Sequence, residues 1–319
     1  MKNLRKNEAV AFLAEHDHFA IITHVGPDGD TVGSAAGLCL GLRQLGKTAH
    51  VLKNSQIPEK YQYLVDGLVK EDAENGDTIV SVDVAAAHML SEDSRHLAEK
   101  VQLRIDHHSS STPFAEAEFV DSTAAACSEI VYELLTALDV KLDVPMANAL
   151  FTAVSTDTGC FRYANTSSRS FALASACAAV SPDLFHISQE LFDTITLGRL
   201  RLQNWVVEHM QMLCDGKIVV CGIPADLHEQ LDLTEEDMGN LSGFLRSIQG
   251  VKIAATVKQD KEGHTGFSVR AVPGYDAAAI CQKFGGGGHK GAAGAGMENV
   301  TLEEAVKALM DAMPDLEQE

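Results

Sequence analysis

The chain has 319 residues, and its 45 acidic against 25 basic residues give a formal net charge of −20. This balance argues against partners that need a broad basic surface, namely long nucleic acid and anionic membrane. The length suggests about two domains. No stretch approaches the roughly 20 apolar residues that span a bilayer, and no signal-peptide pattern follows the basic N-terminus, so we expect a cytoplasmic protein.

The first 180 residues or so predict an α/β domain. Short apolar runs alternate with longer helical patterns, which is typical of a parallel sheet with helices on both faces. The first strand is predicted at 19–23 and the helix after it at 31–45. Further strands are predicted at 50–52, 78–82 and 101–105.

The rest of the chain predicts a connecting helix and a smaller α+β domain. The segment 187–213 has apolar residues at helical spacing and is predicted to be one long helix between domains. Beyond it, strands are predicted at 218–221, 253–257 and 266–272, and helices at 238–248, 276–284 and 301–313. The predicted boundaries are therefore 1–186, 187–213 and 214–319.

Two short polar clusters follow predicted strands. The sequence HVGPDGD occupies 24–30 and DHH occupies 106–108, while Asp83 closes the strand between them. Carboxylates and imidazoles are costly to bury, so their joint placement at strand ends indicates a cation site. The ligand crevice of an open α/β sheet lies beyond the carboxyl ends of its strands, so the clusters should converge. Any one of them alone would more simply be a helix cap or a structural histidine.

The types of ligand indicate which cation and which chemistry to expect. Carboxylate oxygens mixed with imidazole, without a nearby thiolate, suit Mn²⁺ or Mg²⁺ better than structural zinc. Two ions that share an aspartate would lie about 3.5 to 4 Å apart and would activate water for attack on a phosphate ester. The sequence therefore predicts a two-metal phosphoesterase.

Taken together, these motifs resemble a known family over nearly the whole chain. HVGPDGD at 24–30, Asp83, DHH at 106–108 and DTG at 157–159 resemble the four motifs of the DHH phosphoesterase family. GGGGHKGAAG at 285–294 is similar to the signature of the accompanying DHHA1 domain. The resemblance implies an N-terminal DHH domain, a DHHA1 domain after the connecting helix, and an active site in the cleft between them.

The resemblance also implies roles for individual residues. Two Mn²⁺ ions, with Mg²⁺ or Co²⁺ as substitutes, would share Asp83: one bound by His24, Asp28 and Asp83, the other by Asp30, Asp83, His107 and Asp157. Asp106 would orient the neighbouring imidazole, and His108 would contact the scissile phosphate or protonate the leaving oxygen. Asp83, Asp106 and His108 are thus the expected catalytic residues.

Substrate binding is expected in the second domain. Arg270 fits bidentate phosphate recognition, although a surface ion pair is the commoner role of an arginine. The glycine-rich segment lets a phosphate or ribose approach the backbone closely, and as a pattern alone it would predict only a flexible loop. The expected substrate-binding residues are Arg270, Gly286, Gly287, Gly288 and His289.

Within the family, a chain of two domains without further modules looks most like the bifunctional nanoRNase (oligoribonuclease) and pAp phosphatase group. That group implies hydrolysis of short oligoribonucleotides and linear dinucleotides such as pApA to mononucleotides, and of 3′-phosphoadenosine 5′-phosphate (pAp) to AMP. A homodimer is expected as well. Two alternatives remain open: a phosphatase or phosphodiesterase for another small phosphoester, because metal motifs do not specify the leaving group, and a non-catalytic nucleotide sensor.

Overall fold

The computed structural model describes residues 2–234, 237–261 and 263–316, and the chain forms two compact units, Met1–Thr194 and Ile195–Glu319. The first unit is a seven-stranded sheet with helices. Its strands are β1 Lys2–Asn3, β2 Phe19–Ile22, β3 Ala49–Leu52, β4 Val69–Lys70, β5 Thr78–Val82, β6 Leu103–Asp106 and β7 Ala117–Val120. Its α-helices are α1 Lys6–Glu15, α2 Gly29–Gln44, α3 Glu59–Gln62, α4 Cys127–Ala137, α5 Val144–Asp157, α6 Ser168–Ala178 and α7 Leu184–Ser188.

The sheet of the first unit is parallel throughout, as predicted. Its strand order is β1-β7-β6-β5-β2-β3-β4. From β2 the chain builds outward to β3 and β4, and from β5 it builds outward in the opposite direction. The order therefore reverses between β2 and β5, and the carboxyl ends beside such a reversal form the usual ligand crevice of this class of sheet.

The two faces of this sheet are covered differently. Alternate residues such as Phe19, Ile21 and Val80 enter a large core with the helices α1, α2, α4 and α5. The other residues of the same strands, such as Ala20 and Ile22, face a smaller core formed with loops and the 3₁₀ helices Ala87–Met89 and Arg95–Lys100. The central strands β2, β3, β5 and β6 are thus buried on both sides, as is typical of the inner strands of a parallel sheet.

The second unit has a mixed six-stranded sheet, in agreement with the predicted α+β class. The strand order is β12-β13-β11-β10-β9-β8, in which only β9 and β10 are parallel. The strands are β8 Gln211–Leu213, β9 Ile218–Ile223, β10 Ile253–Gln259, β11 Thr265–Ala271, β12 Gly287–His289 and β13 Ala292–Met297. The helices are α8 Leu197–His209, α9 Leu227–Gln230, α10 Leu241–Arg246, α11 Ala277–Gln282 and α12 Leu302–Asp311.

The single connecting helix predicted at 187–213 is wrong. A π-helical turn ends at Asp193, the backbone is extended at Thr194 and Thr196, and α8 then begins at Leu197. The β-branched residues at 194–196 are poor helix formers, and the Thr196 hydroxyl accepts the N–H of Arg199, which starts a new helix. Residues 211–213 form β8 rather than the end of a helix.

The glycine-rich segment is also more regular than its sequence suggests. Gly287–His289 form β12, which pairs with β13 at the edge of the second sheet. An added Cβ at Gly286 would lie 2.2 Å from the carbonyl oxygen of Gly294, and one at Gly288 would lie 2.6 Å from that of Ala292. These two glycines are required because the strands approach too closely for any side chain.

Among the described residues, no helix is both long enough and apolar enough to span a bilayer.

Candidate metal centre

Three polar residues stand at the ends of three neighbouring strands. His24 lies two residues beyond β2, Asp83 follows β5 directly, and Asp106 is the last residue of β6. Asp83 has a positive φ of 58°, a left-handed conformation that few non-glycine residues adopt. Its N–H donates to the carbonyl of Ile105, so the left-handed turn is held by the neighbouring strand. Such backbone strain tends to occur where a side chain must be aimed at a functional site.

A first potential ligand group combines His24, Asp28 and Asp83. One ligand atom from each of these residues lies within 4.8 Å of the others. Asp28 is the N-cap of α2 and accepts the N–H of Thr31 at 3.0 Å. A Cβ on Gly29 would lie 2.5 Å from the side chain of Thr156, so only glycine lets the start of α2 approach the end of α5.

A second potential ligand group combines Asp30, His107 and Asp157, again with ligand atoms within 4.8 Å of one another. His107 Nε2 lies 3.8 Å from Asp30 Oδ2 and 3.4 Å from Asp157 Oδ2. The same nitrogen is 3.4 Å from Asp83 Oδ1, while Asp83 Oδ2 is 3.7 Å from His24 Nε2. The two oxygens of the Asp83 carboxylate therefore face different ligand groups.

Asp30 is fully buried at the N-terminus of α4. Its carboxylate accepts the backbone N–H groups of Cys127 at 2.6 Å and Ser128 at 3.1 Å, and the hydroxyl of Ser34 at 3.0 Å. The two backbone N–H groups are donors that the start of α4 leaves without partners inside the helix. The carboxylate is thereby fixed in orientation before any ion binds.

The two histidines of the DHH motif are held by different acceptors. His107 Nδ1 lies 3.3 Å from the carbonyl oxygen of Ala124, which directs Nε2 toward the carboxylates. His108 Nδ1 lies 2.7 Å from Asp106 Oδ1. Asp106 therefore orients the imidazole of His108 and not that of His107, its immediate neighbour in sequence. Together with Asp83, the two histidines form a third potential ligand group.

The electrostatics of the cluster fit bound cations. Burial, reinforced by the charge of Asp83, raises the pKa of Asp30 to about 7, and burial together with the charge of Asp30 raises the pKa of Asp157 to about 9. Asp83 Oδ1 is buried and accepts no regular hydrogen bond from the described residues. Carboxylates crowded in this way repel one another, and divalent cations would relieve the repulsion. The residues thus fit two hard cations.

Asp106 differs from the other carboxylates. Burial opposes its ionisation, but the hydrogen bond from His108 and the charges of His108 and Arg104 outweigh burial and lower the pKa of Asp106. The hydrogen bond to Asp106 in turn raises the pKa of His108. The pair therefore favours a carboxylate next to an imidazolium. His108 retains partial exposure, so its second nitrogen can meet a substrate.

The expected substrate-binding residues lie in the second unit. Arg270 of β11 is paired with Ala292 of β13, which is paired with His289 of β12. Residues paired directly across strands share a face, so Arg270 and His289 project from the same face of the sheet. Gly287 lies two residues from His289 on this row of strands, and an added Cβ there would meet nothing within 4 Å. The backbone at Gly287 is therefore open on the side to which a side chain would point.

Two residues that no sequence motif pointed to hold the centre together. The hydroxyl oxygen of Thr31 lies 2.6 Å from Asp83 Oδ2, 3.2 Å from Asp28 Oδ1 and 2.5 Å from His24 Nε2. Asn165 donates both to the carbonyl of Asp157 and to that of Ala125. A hydroxyl one helical turn after an N-cap aspartate is a recognisable signal for Thr31. The sequence carries no comparable signal for Asn165.

Comparisons with known proteins match the same two regions. The protein-family model described as "DHH family, N-terminal domain" matches residues 18–155, and the family model described as "DHHA1 domain" matches residues 215–317. The bifunctional oligoribonuclease and PAP phosphatase NrnA of Thermus thermophilus is 30% identical over 301 residues, covering 92% of this chain and 88% of the relative.

Two solved structures are similar in fold. An exopolyphosphatase-related protein from Bacteroides fragilis superposes with a TM-score of 0.82 at 25% identity, covering 96% of this chain and 94% of that one. The exonuclease RecJ bound to manganese gives a TM-score of 0.53 at 14% identity, over 97% of this chain and 95% of that one. The second likeness concerns the fold alone.

Proposed function

This chain belongs to the DHH family, and from that premise we propose that it is a phosphoesterase with two divalent cations, Mn²⁺ foremost. Its proposed substrates are short oligoribonucleotides and linear dinucleotides, hydrolysed to mononucleotides, and pAp, hydrolysed to AMP and phosphate. The similarity to the bifunctional oligoribonuclease and PAP phosphatase NrnA of Thermus thermophilus supports both activities.

The observation that carries this proposal is the position of Asp83 between two ligand groups. Its Oδ2 faces His24, while its Oδ1 lies 3.4 Å from His107, the histidine of the second group. A carboxylate that presents one oxygen to each of two groups is the arrangement that a bridged pair of cations requires. In the proposed assignment, His24, Asp28 and Asp83 hold one ion, and Asp30, Asp83, His107 and Asp157 hold the other.

The chain's own residues have distinct proposed tasks. When bound, the cations would supply Lewis-acid stabilisation of the phosphate and an activated water. His108, whose Nδ1 is fixed by Asp106 at 2.7 Å, presents its other nitrogen to a phosphate oxygen or to the leaving oxygen. Its elevated pKa suits a proton donor. Asp106 therefore acts by holding His108 in its orientation and in its protonated form.

Recognition of the nucleotide is assigned to the second unit. Arg270 offers a guanidinium that matches the geometry of a phosphate, and His289 lies in the same row of the sheet. Gly287, two residues before His289 on β12, leaves the backbone beside that histidine accessible. This face would bind the part of the substrate that does not react, so its residues should affect KM more than kcat.

The direct test is a substrate panel of pAp, pApA, a short RNA and pyrophosphate, each assayed with Mn²⁺, Mg²⁺ and Co²⁺. We expect release of phosphate from pAp and of mononucleotides from pApA and the RNA. Hydrolysis of pyrophosphate alone would make the chain a hydrolase of a phosphoanhydride and not a nucleotide phosphoesterase. Binding of pAp without any turnover in the presence of Mn²⁺ would make it a nucleotide sensor.

A further inference from the structure

A buried arginine lies directly behind the metal centre. Arg104 occupies β6 two residues before Asp106, and only 1% of it is exposed, which makes it the largest fully buried side chain described. An arginine is always charged, so its burial is costly unless anions and carbonyl groups surround it. An apolar residue at this position would fill the same space at lower cost.

The guanidinium donates hydrogen bonds to two loops that follow proposed ligands, the loop after Asp83 and the loop after the DHH motif. Its Nη1 donates to the carbonyl of Ala85 at 3.0 Å and lies 3.4 Å from that of Val84, the residues that follow Asp83. It also reaches the loop after the DHH motif, through the carbonyl of Thr112 at 3.3 Å and the hydroxyl of Ser111 at 3.1 Å. The side chain of Arg104 thus connects the loop after Asp83 with the loop after the DHH motif, which we call the DHH loop.

Two carboxylates neutralise this guanidinium. Glu118 Oε2 lies 3.2 Å from Nη2, and Asp106 Oδ2 lies 3.7 Å from Nη1. Glu118 is itself fixed, because its Oε1 accepts the N–H of Phe114 at 2.8 Å. Asp106 bonds His108 with its other oxygen. Glu118, Arg104, Asp106 and His108 therefore form a continuous row of alternating charge that leads from the interior to the site.

We propose that Arg104 is a positioning residue that fixes the spacing between Asp83 and the DHH loop. The proposal rests on the proposed function, since it assigns Arg104 to the same metal centre. By holding both loops from behind, Arg104 keeps Asp83 Oδ1 at 3.4 Å from His107 Nε2, so that the two residues would be placed to hold a cation together. It also presents the Asp106 carboxylate to His108. Arg104 itself touches neither substrate nor cation.

The test compares Arg104→Met with Arg104→Lys and Leu103→Ala. Met fills the space without charge or hydrogen bonds, while Lys keeps the charge but cannot bond both loops at once. Leu103 is fully buried on the same strand and faces the opposite core, so Leu103→Ala is a control for lost stability alone. Mn²⁺ affinity is measured by titration calorimetry, kcat and KM for pAp at saturating Mn²⁺, and stability by thermal unfolding.

We expect Arg104→Met to weaken Mn²⁺ binding by roughly 10 to 100-fold and to lower kcat with little change in KM. Arg104→Lys should recover part of both losses. Leu103→Ala should unfold at a lower temperature while it keeps wild-type Mn²⁺ affinity and kcat.

The proposal is overturned if Arg104→Met binds Mn²⁺ and turns over like the wild type. It is also overturned if both Arg104→Met and Leu103→Ala lose Mn²⁺ affinity in proportion to lost stability, which would indicate a purely structural role. Should Arg104→Met fail to fold, a folded Arg104→Lys with unchanged Mn²⁺ affinity and kcat would overturn it. Failure of the proposed function gives a different result, in which the wild type binds Mn²⁺ but hydrolyses no substrate of the panel.

Discussion

The hydroxyl of Thr31 donates a hydrogen bond to Asp83 Oδ2 across 2.6 Å, although the two residues belong to different elements of the first unit. The hydroxyl oxygen of Thr31 also lies 3.2 Å from Asp28 Oδ1. Thr31 therefore gathers the first ligand group around one buried hydroxyl. A hydroxyl that aligns ligands without binding the ion typically contributes to affinity through their orientation.

We predict that Thr31→Val weakens binding of the first cation about tenfold, because the three ligand atoms lose their common partner. Valine has the same shape, so packing in the start of α2 is retained. Thr31→Ser should restore most of the affinity. Titration calorimetry with Mn²⁺ measures both variants, and Thr31→Val with wild-type affinity would refute this role.

Asp83→Asn should reduce kcat for pAp and pApA alike by at least about a thousandfold, since both ligand groups lose a shared charge. Asparagine tolerates the left-handed backbone that Asp83 adopts, so the fold should persist. Asp139→Asn is a matched control, because Asp139 is exposed and has a φ of 60°. Loss of one activity with retention of the other would contradict a common centre.

Substitution of Gly286, which precedes β12, and of Gly287, which begins β12, should affect stability differently. Gly286→Ala would force a methyl group against a carbonyl oxygen and should destabilise the second unit by about 1 to 3 kcal/mol. Gly287→Ala meets open space and should leave stability unchanged. If a nucleotide contacts this backbone, Gly287→Ala raises KM for pAp severalfold at constant kcat. An unchanged KM would remove Gly287 from the substrate surface.

Removal of divalent cations should affect the first unit selectively. A ligand at a hundred times its Kd stabilises the folded state by about 2.7 kcal/mol, so chelation should lower the unfolding temperature of that unit by roughly 5 to 10 °C. The second unit has its own core and should unfold at an unchanged temperature. Calorimetric scans with Mn²⁺ and with chelator check this. Equal shifts of both transitions would contradict it.

The sequence predicted the parallel sheet and the convergence of His24, Asp83 and Asp106, because the ends of neighbouring parallel strands meet wherever the helices run. The partners of these residues were not predictable in the same way. The burial of Arg104 depends on loop residues that lie 7 to 20 residues away in the chain. Its neighbours in sequence, Leu103 and Ile105, give no indication of those contacts.

Local signals also misled at two places. The apolar spacing of 187–213 continued through Thr194 and Thr196, where capping and β-branching end the helical pattern. The run of glycines suggested a loop, yet the lack of side chains is what lets β12 and β13 approach each other. In both cases the deciding interaction involves the backbone, and a pattern of side-chain polarity does not report backbone interactions.

Electron paramagnetic resonance of the Mn²⁺-loaded protein shows whether Asp83 is shared by two cations. Two Mn²⁺ ions per chain at about 3.5 to 4 Å should give an exchange-coupled spectrum, and Asp83→Asn should abolish the coupling. A single uncoupled Mn²⁺ per chain, or a coupled pair that survives in Asp83→Asn, would show that Asp83 does not join two cations.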